Sequence, residues 1–247
     1  MTALVTAPIH RIATTARIHA ANPWTILYTP WLILFGVFAL NFAIWHAVLI
    51  GAGDRPLAPD AFTTNGGVTY IFVYMVVVAV QAMNQTFSFV VGLGATRRDY
   101  FGGTVLVFGA LSVVFGVGIS LLAWVERATD GWGVRGAFFA PGPLRTEPIW
   151  VLAVMYTLLL LLMFFVGSAV AATFVRWGAN GIIIFFGALA LLIVGVVYAI
   201  TVNGGWEAVG RFFTTHSMLG LAAYTIPVTL VGGLAGFLLM SRATPKG

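Results

Sequence analysis

Cysteine is absent from the 247 residues, so neither a disulfide nor a thiolate metal site is open to this chain. Charge is the second scarcity. Only 8% of the residues are charged, against roughly 25% in soluble domains. With 60% hydrophobic residues and a mean hydropathy of +1.01, the chain has too few charges to clothe a water-soluble surface. Lipid is the solvent that such a composition requires. Catalytic signatures are missing as well. The glycine-rich run at 92–99 lacks the Gly-Lys-Ser/Thr ending that would hold phosphate and magnesium, so no ATP hydrolysis is expected of this chain alone. There is no His-Glu-x-x-His and no Gly-x-Ser-x-Gly, which leaves an intramembrane hydrolase without support. No charged residue falls at the centre of an apolar stretch, which argues against proton or sodium coupling.

What is present is apolar sequence in lengths that span. A crossing helix needs about 20 mainly apolar residues. Six stretches meet that length, at about 31–50, 68–91, 102–125, 149–175, 181–202 and 218–240. The first begins about thirty residues in, too late for a leader's apolar region, and reads as a retained helix. The expected fold is therefore an all-α integral membrane protein, a single transmembrane domain over 1–247 with six spans.

The basic residues are distributed unevenly between the connections. Arg11, Arg17, Arg97, Arg98, Arg176, Arg242 and Lys246 fall on one side with Asp99 as the sole acid. Arg55, Arg127, Arg135, Arg145 and Arg211 fall on the other with six acids. Basic loops stay in the cytoplasm, so both termini are expected there, in a multi-pass plasma-membrane protein. The net charge of +5 is then a matter of topology, and no nucleic-acid partner is expected. The outer connections, 51–67 and 126–148, are the longer ones and carry the prolines.

Polar groups inside the stretches are few. Asn41 lies mid-stretch in the first. Gln81, Asn84, Gln85 and Ser88 recur at i, i+3, i+4 and i+7 in the second and share one helix face. That face either lines a translocation path or subunit interface, or bonds to neighbouring helices. Gly102, Gly109, Gly116 and Ala123 repeat every seven residues, and Gly232 with Gly236 forms a GxxxG pair. Both are smooth surfaces for close packing, within the bundle or between copies. Residues 9–20, with Arg11 and Arg17 set away from Ile9, Ile12, Ala13 and Ala16, read as an amphipathic helix on the inner membrane surface, the other reading being a disordered tail. His46 and His216 fall toward the outer side, where a bond to a neighbour is the ordinary role.

The turn between the second and third stretches carries the most information. It reads Gly92-Leu93-Gly94-Ala95-Thr96-Arg97-Arg98-Asp99-Tyr100-Phe101. Glycines break one helix. Thr96 can cap the next, with Asp99 at its third position, close to a capping box. Arg97 and Arg98 are expected to project into the cytoplasm, and Tyr100 with Phe101 to lead back into lipid. This is either a plain positive anchor or a docking knob for a cytoplasmic partner.

This turn resembles the first cytoplasmic loop of bacterial permeases of the type-2 ABC exporter family, notably small actinobacterial ones, whose pattern is Gly-x-(Ser/Thr)-Arg-Arg-x-Phe/Tyr-Phe. The layout is similar too: a basic amphipathic start, six spans and a long second outer loop. The resemblance implies a permease that pairs with a second copy or a similar permease, above separate ATP-binding cassette subunits. Those subunits would bind the ATP and magnesium, so no cofactor is expected in this chain. Ala95, Thr96, Arg97, Arg98, Asp99 and Tyr100 would form the coupling helix. Residues 9–20 would be the connecting helix, and 204–217 would re-enter the membrane as short helices. The substrate would be amphipathic or hydrophobic: an antimicrobial peptide, a drug or a lipid. Two other readings of the sequence are the six-helix substrate-binding subunit of a vitamin or metal importer and a membrane anchor of a redox complex.

Overall fold

A chain this apolar has to close the backbone hydrogen bonds of its spanning segments internally, and all the regular elements among the described residues are helical. The structure is a computed structural model and describes residues 8–19, 22–58, 60–83, 87–92 and 94–241. In order, these form α1 (Pro8–His19), α2 (Thr29–Ala52), α3 (Tyr70–Gln81), α4 (Phe87–Gly92), α5 (Arg97–Ala128), α6 (Ile149–Val202), α7 (Trp206–Thr215), α8 (Met218–Ala223) and α9 (Thr225–Ser241). A π-helical turn, Trp24–Tyr28, leads directly into α2. Four helical segments are long and apolar enough to cross a membrane: Trp24–Ala52, Arg97–Ala128, Ile149–Val202 and Met218–Ser241. They mark a multi-pass membrane protein.

The fourth and fifth stretches, read as separate helices joined by a turn at 176–180, are two helical arms that meet at a kink at Gly178, and α6 denotes the pair. At 1.5 Å per residue it would run about 80 Å if straight, more than twice the hydrocarbon thickness of a bilayer. It is not straight. Gly178 has φ +66° and ψ −154°, a conformation essentially reserved for glycine, and it breaks the helix into two arms. The second stretch, read as 68–91, is helical at both ends, and residues 84–86 between them lie outside the described residues. After a 3₁₀ turn at Gly67–Thr69, α3 closes at Gln81, and α4 is a further short helix.

The main core lies where α3, α5 and the first arm of α6 meet, with α2 against one side. Phe108 of α5 stacks on Phe164 of α6 with ring centroids 4.3 Å apart, and Trp31 of α2 stacks on Phe115 at 5.0 Å. The α5–α6 backbones approach closely at Gly116. A Cβ there would stand 2.3 Å from Thr157 Oγ1 and 2.8 Å from the Thr157 nitrogen. Gly232 and Gly236 face the first arm of α6 at Phe165 and Ala169, so the GxxxG pair serves an internal contact. The seven-residue stripe divides by partner: Gly102 meets Ile12 of α1, Gly116 meets α6, and Gly109 has open space beside it.

The second arm of α6 is different in kind. Ile183, Ile184, Leu191, Leu192, Val194 and Tyr198 are all more than half exposed. An apolar helix with no buried stripe is a helix immersed in lipid or covered by another protein.

Outside the bundle, the two long loops join into a cap over one end. Ala137 N donates to Phe62 O at 3.0 Å and Gly142 N to Thr63 O at 2.7 Å. The apolar run Ala137–Ala140, although in a loop, is fully buried, with the Phe138 and Phe139 rings packed around Phe38.

Candidate functional site

The turn at 94–100 is built by local chemistry that the sequence announces. Gly94 takes φ +88°, which lets the chain reverse after α4. Thr96 is extended (φ −76°, ψ 152°) and caps α5. Its Oγ1 accepts from the Asp99 backbone N–H at 3.1 Å and donates to Asp99 Oδ2 at 2.7 Å. This closes the expected cap with one difference: the carboxylate takes the Thr96 hydroxyl hydrogen. An acid in the first turn also complements the helix dipole.

The four residues that follow the cap have distinct surroundings. Arg97 does not project freely. It is half-buried, and its Nη1 donates to the carbonyl oxygen of Ser241 at 2.6 Å, linking the start of α5 to the end of α9. Arg98 is exposed, and its guanidinium has no hydrogen bond or ion pair among the described residues. Asp99 is buried, at 7% exposure. Tyr100 is also buried, which corrects the expectation that it leads into lipid. Its hydroxyl donates to Ala82 O at 2.7 Å, and its ring meets the edge of Phe87 at 5.3 Å.

These contacts set the turn on a small second core. Met83, Phe87, Val90, Tyr100, Ala171, Ala172 and Met240 form it, with half-buried Ala95 against its side. The turn therefore touches the ends of α3 and α9, the middle of α6, and α4 at Phe87 and Val90. The helix α1 is laid across the same end. A Cβ at Gly103 would stand 2.9 Å from both Thr15 Cβ and the Ala16 nitrogen. Thr15 is buried there, and Arg17 points away and is exposed. The side chain of Arg11 lies outside the described residues.

The polar residues of the second stretch are brought together only in part. Gln81 is exposed at the end of α3. Asn84, Gln85 and the Ser88 side chain lie outside the described residues. Asn41 is half-buried, and its Nδ2 donates to Val37 O, one turn back in its own helix, at 2.9 Å. His216 has partners for both ring nitrogens: Nδ1 lies 2.8 Å from Phe212 O and Nε2 3.3 Å from the Tyr224 hydroxyl. His46 stacks on Phe42.

The opposite end holds a group that the sequence reading passed over. Glu126, at the end of α5, is 3% exposed and fully engaged. Its Oε2 accepts from Phe138 N at 2.7 Å, Phe139 N at 3.2 Å and Trp132 Nε1 at 3.1 Å, and its Oε1 accepts from Ala140 N at 3.4 Å. Arg127 beside it donates to the carbonyls of Glu147 and Leu144 at 2.6 and 2.8 Å. The two residues fold the loop onto the helix that precedes it. The available signal was an adjacent acid and base closing an apolar helix, followed by glycines and a tryptophan. No protein-family model, no curated protein and no solved structure matches this chain.

Proposed function

We propose that this chain is the permease subunit of an ATP-binding cassette transporter of the type-2 exporter kind, with the turn at 94–100 as the surface that receives the ATPase. The carrying observation is the contrast within that turn. Asp99 and Tyr100 are locked into the bundle, and Arg98 stands exposed beside them without a described partner. A part that receives motion from a neighbour needs both properties: a rigid seat and a free contact.

Several features support the reading. The six-span count follows if α3 with α4 makes one crossing, the two arms of α6 make two, and α8 with α9 makes one, beside α2 and α5. The basic connections then all fall on the side of the turn. The helix α1 packs on Gly102 and Gly103, so it moves with the start of α5. On this reading it is the amphipathic connecting helix at the inner surface, and α7 is the re-entrant segment. The uncovered second arm of α6 offers a face for a second permease. ATP and magnesium are held by the cassette subunits. Their closure on ATP draws the turns together, and the permeases rock to release an amphipathic or hydrophobic substrate outward. The coupling has to come from tighter ATP binding in one of the two states.

The test is to tag the chain, extract it in mild detergent and identify what copurifies. The proposal expects a roughly stoichiometric protein with phosphate-loop motifs. It also expects Arg98→Glu, which removes a charge-assisted contact, to release that protein and leave the fold intact. A wild-type chain that purifies alone, under conditions that keep other membrane complexes whole, sinks the proposal.

A further inference from the structure

At the capped end of the bundle a pocket of about 280 Å³ opens between the end of α2 and the two outer loops. Leu49, Leu57, Phe62 and Val134 give it an apolar floor, and Arg55 and Arg135 stand on its lining, which includes no acid. Phe62 is held there by stacking on Trp45, centroids 5.8 Å apart. The pocket lies past the end of an apolar helix of spanning length, which places it at headgroup depth.

The two arginines differ in how they are held. The Arg55 guanidinium has no hydrogen bond or ion pair among the described residues. Arg135 Nε lies 3.8 Å from Asp130 Oδ2, but Asp130 is shared with Arg145, also at 3.8 Å. An exposed pair at that distance is weak, so Asp130 leaves most of the local positive charge in place. Asp54 and Asp60 are near in sequence and lie outside the lining. The loop is also strained where it presents Arg135: Asp130, Trp132 and Arg135 all take positive φ, at 50°, 61° and 56°. Non-glycine residues are held that way only when the surroundings impose it.

We propose that this pocket binds the phosphate headgroup of an anionic phospholipid, with Arg55 and Arg135 as its cationic contacts. The inference does not rest on the transport reading. The pocket's volume of about 280 Å³, at the small end of ligand pockets, has room for a headgroup. The acyl chains have a path outside the pocket, along Leu40, Ile44 and Val48, which recur at helical spacing on α2 and are all exposed. Phosphate suits the cations because guanidinium donors match its oxygens in a bidentate fork.

The test is native mass spectrometry of the full chain, released from nanodiscs of phosphatidylglycerol or of phosphatidylcholine. Retention of phosphatidylglycerol in preference to phosphatidylcholine is expected, weakened about tenfold by Arg55→Gln and further in the double variant with Arg135→Gln. Arg211→Gln, which removes an exposed cation already paired with Glu207, is expected to change nothing. If the double variant fails to fold, Arg55→Gln carries the test, since its guanidinium joins no described hydrogen bond. Equal retention of both lipids, or equal retention by wild type and Arg55→Gln, overturns the proposal. Displacement of the lipid by millimolar inorganic phosphate assigns the site to a free anion and overturns the lipid assignment.

Discussion

A carboxylate at the end of a membrane helix is expected to sit in water, yet Glu126 is buried and accepts four N–H groups. Its function is to gather the backbone of 138–140 over the bundle. Glu126→Gln keeps one oxygen but turns an amide donor toward a loop N–H. The expected loss is about 1.5–3 kcal/mol, the range for hydrogen bonds to a charged group, read as a lower melting temperature in detergent. Arg97 and Arg98 separate in the same way, by what they touch. Arg97→Glu loses the bond to Ser241 O and sets a negative charge at the carbonyl end of α9, where the helix dipole repels it. A less stable end of the bundle at the turn is the expected result, measured as faster proteolysis there. Arg98→Glu should leave that stability unchanged. If both variants lower stability equally, the division of roles within the turn is wrong.

At the scale of elements, the sequence was legible wherever a local rule decides the outcome. Thr96 and Asp99 three residues apart predict a cap, and the cap is there. Apolar length marked α2, α5 and both arms of α6. The short turn expected at 176–180 is there as the kink at Gly178; what composition and periodicity could not give is its sharpness, a single glycine at positive φ. Tyr100 was misplaced, and the burial of Glu126 went unread, for another reason: both depend on partners remote in sequence, Ala82 and 138–140. Gly178→Ala tests the break directly. A Cβ at φ +66° and ψ −154° costs about 1–3 kcal/mol, so the alanine variant should be less stable or should straighten. A spin-label pair across the joint, one on each arm, would distinguish the two, and an unchanged melt with unchanged distances would show the joint to be indifferent to a side chain.

For the whole molecule, the arrangement of its two ends is the first thing to verify. The absence of cysteine makes this direct, since any single introduced thiol is the only one present. A cysteine at Arg98 should react with an impermeant maleimide only from the cytoplasmic side. A cysteine at Ala58 or Gly210 should react only from outside. Labelling of positions 98 and 58 from the same side would break the topology on which the docking surface depends. The core at each end of the bundle is closed by long-range bonds, Tyr100 to Ala82 at one and Phe62 to Ala137 at the other, so the ends are expected to behave as rigid plates joined by sliding helices.

The break at Gly178 also bears on how the protein is made. Some fifty apolar residues leave the ribosome with only Arg176 between the arms to orient them. Neither arm carries enough charge at the joint to be oriented separately, so the two are expected to enter the bilayer together, as a hairpin. The insertion machinery must then hold the first arm until the second has been synthesised. Correct biogenesis of both arms rests on one cation two residues from one glycine.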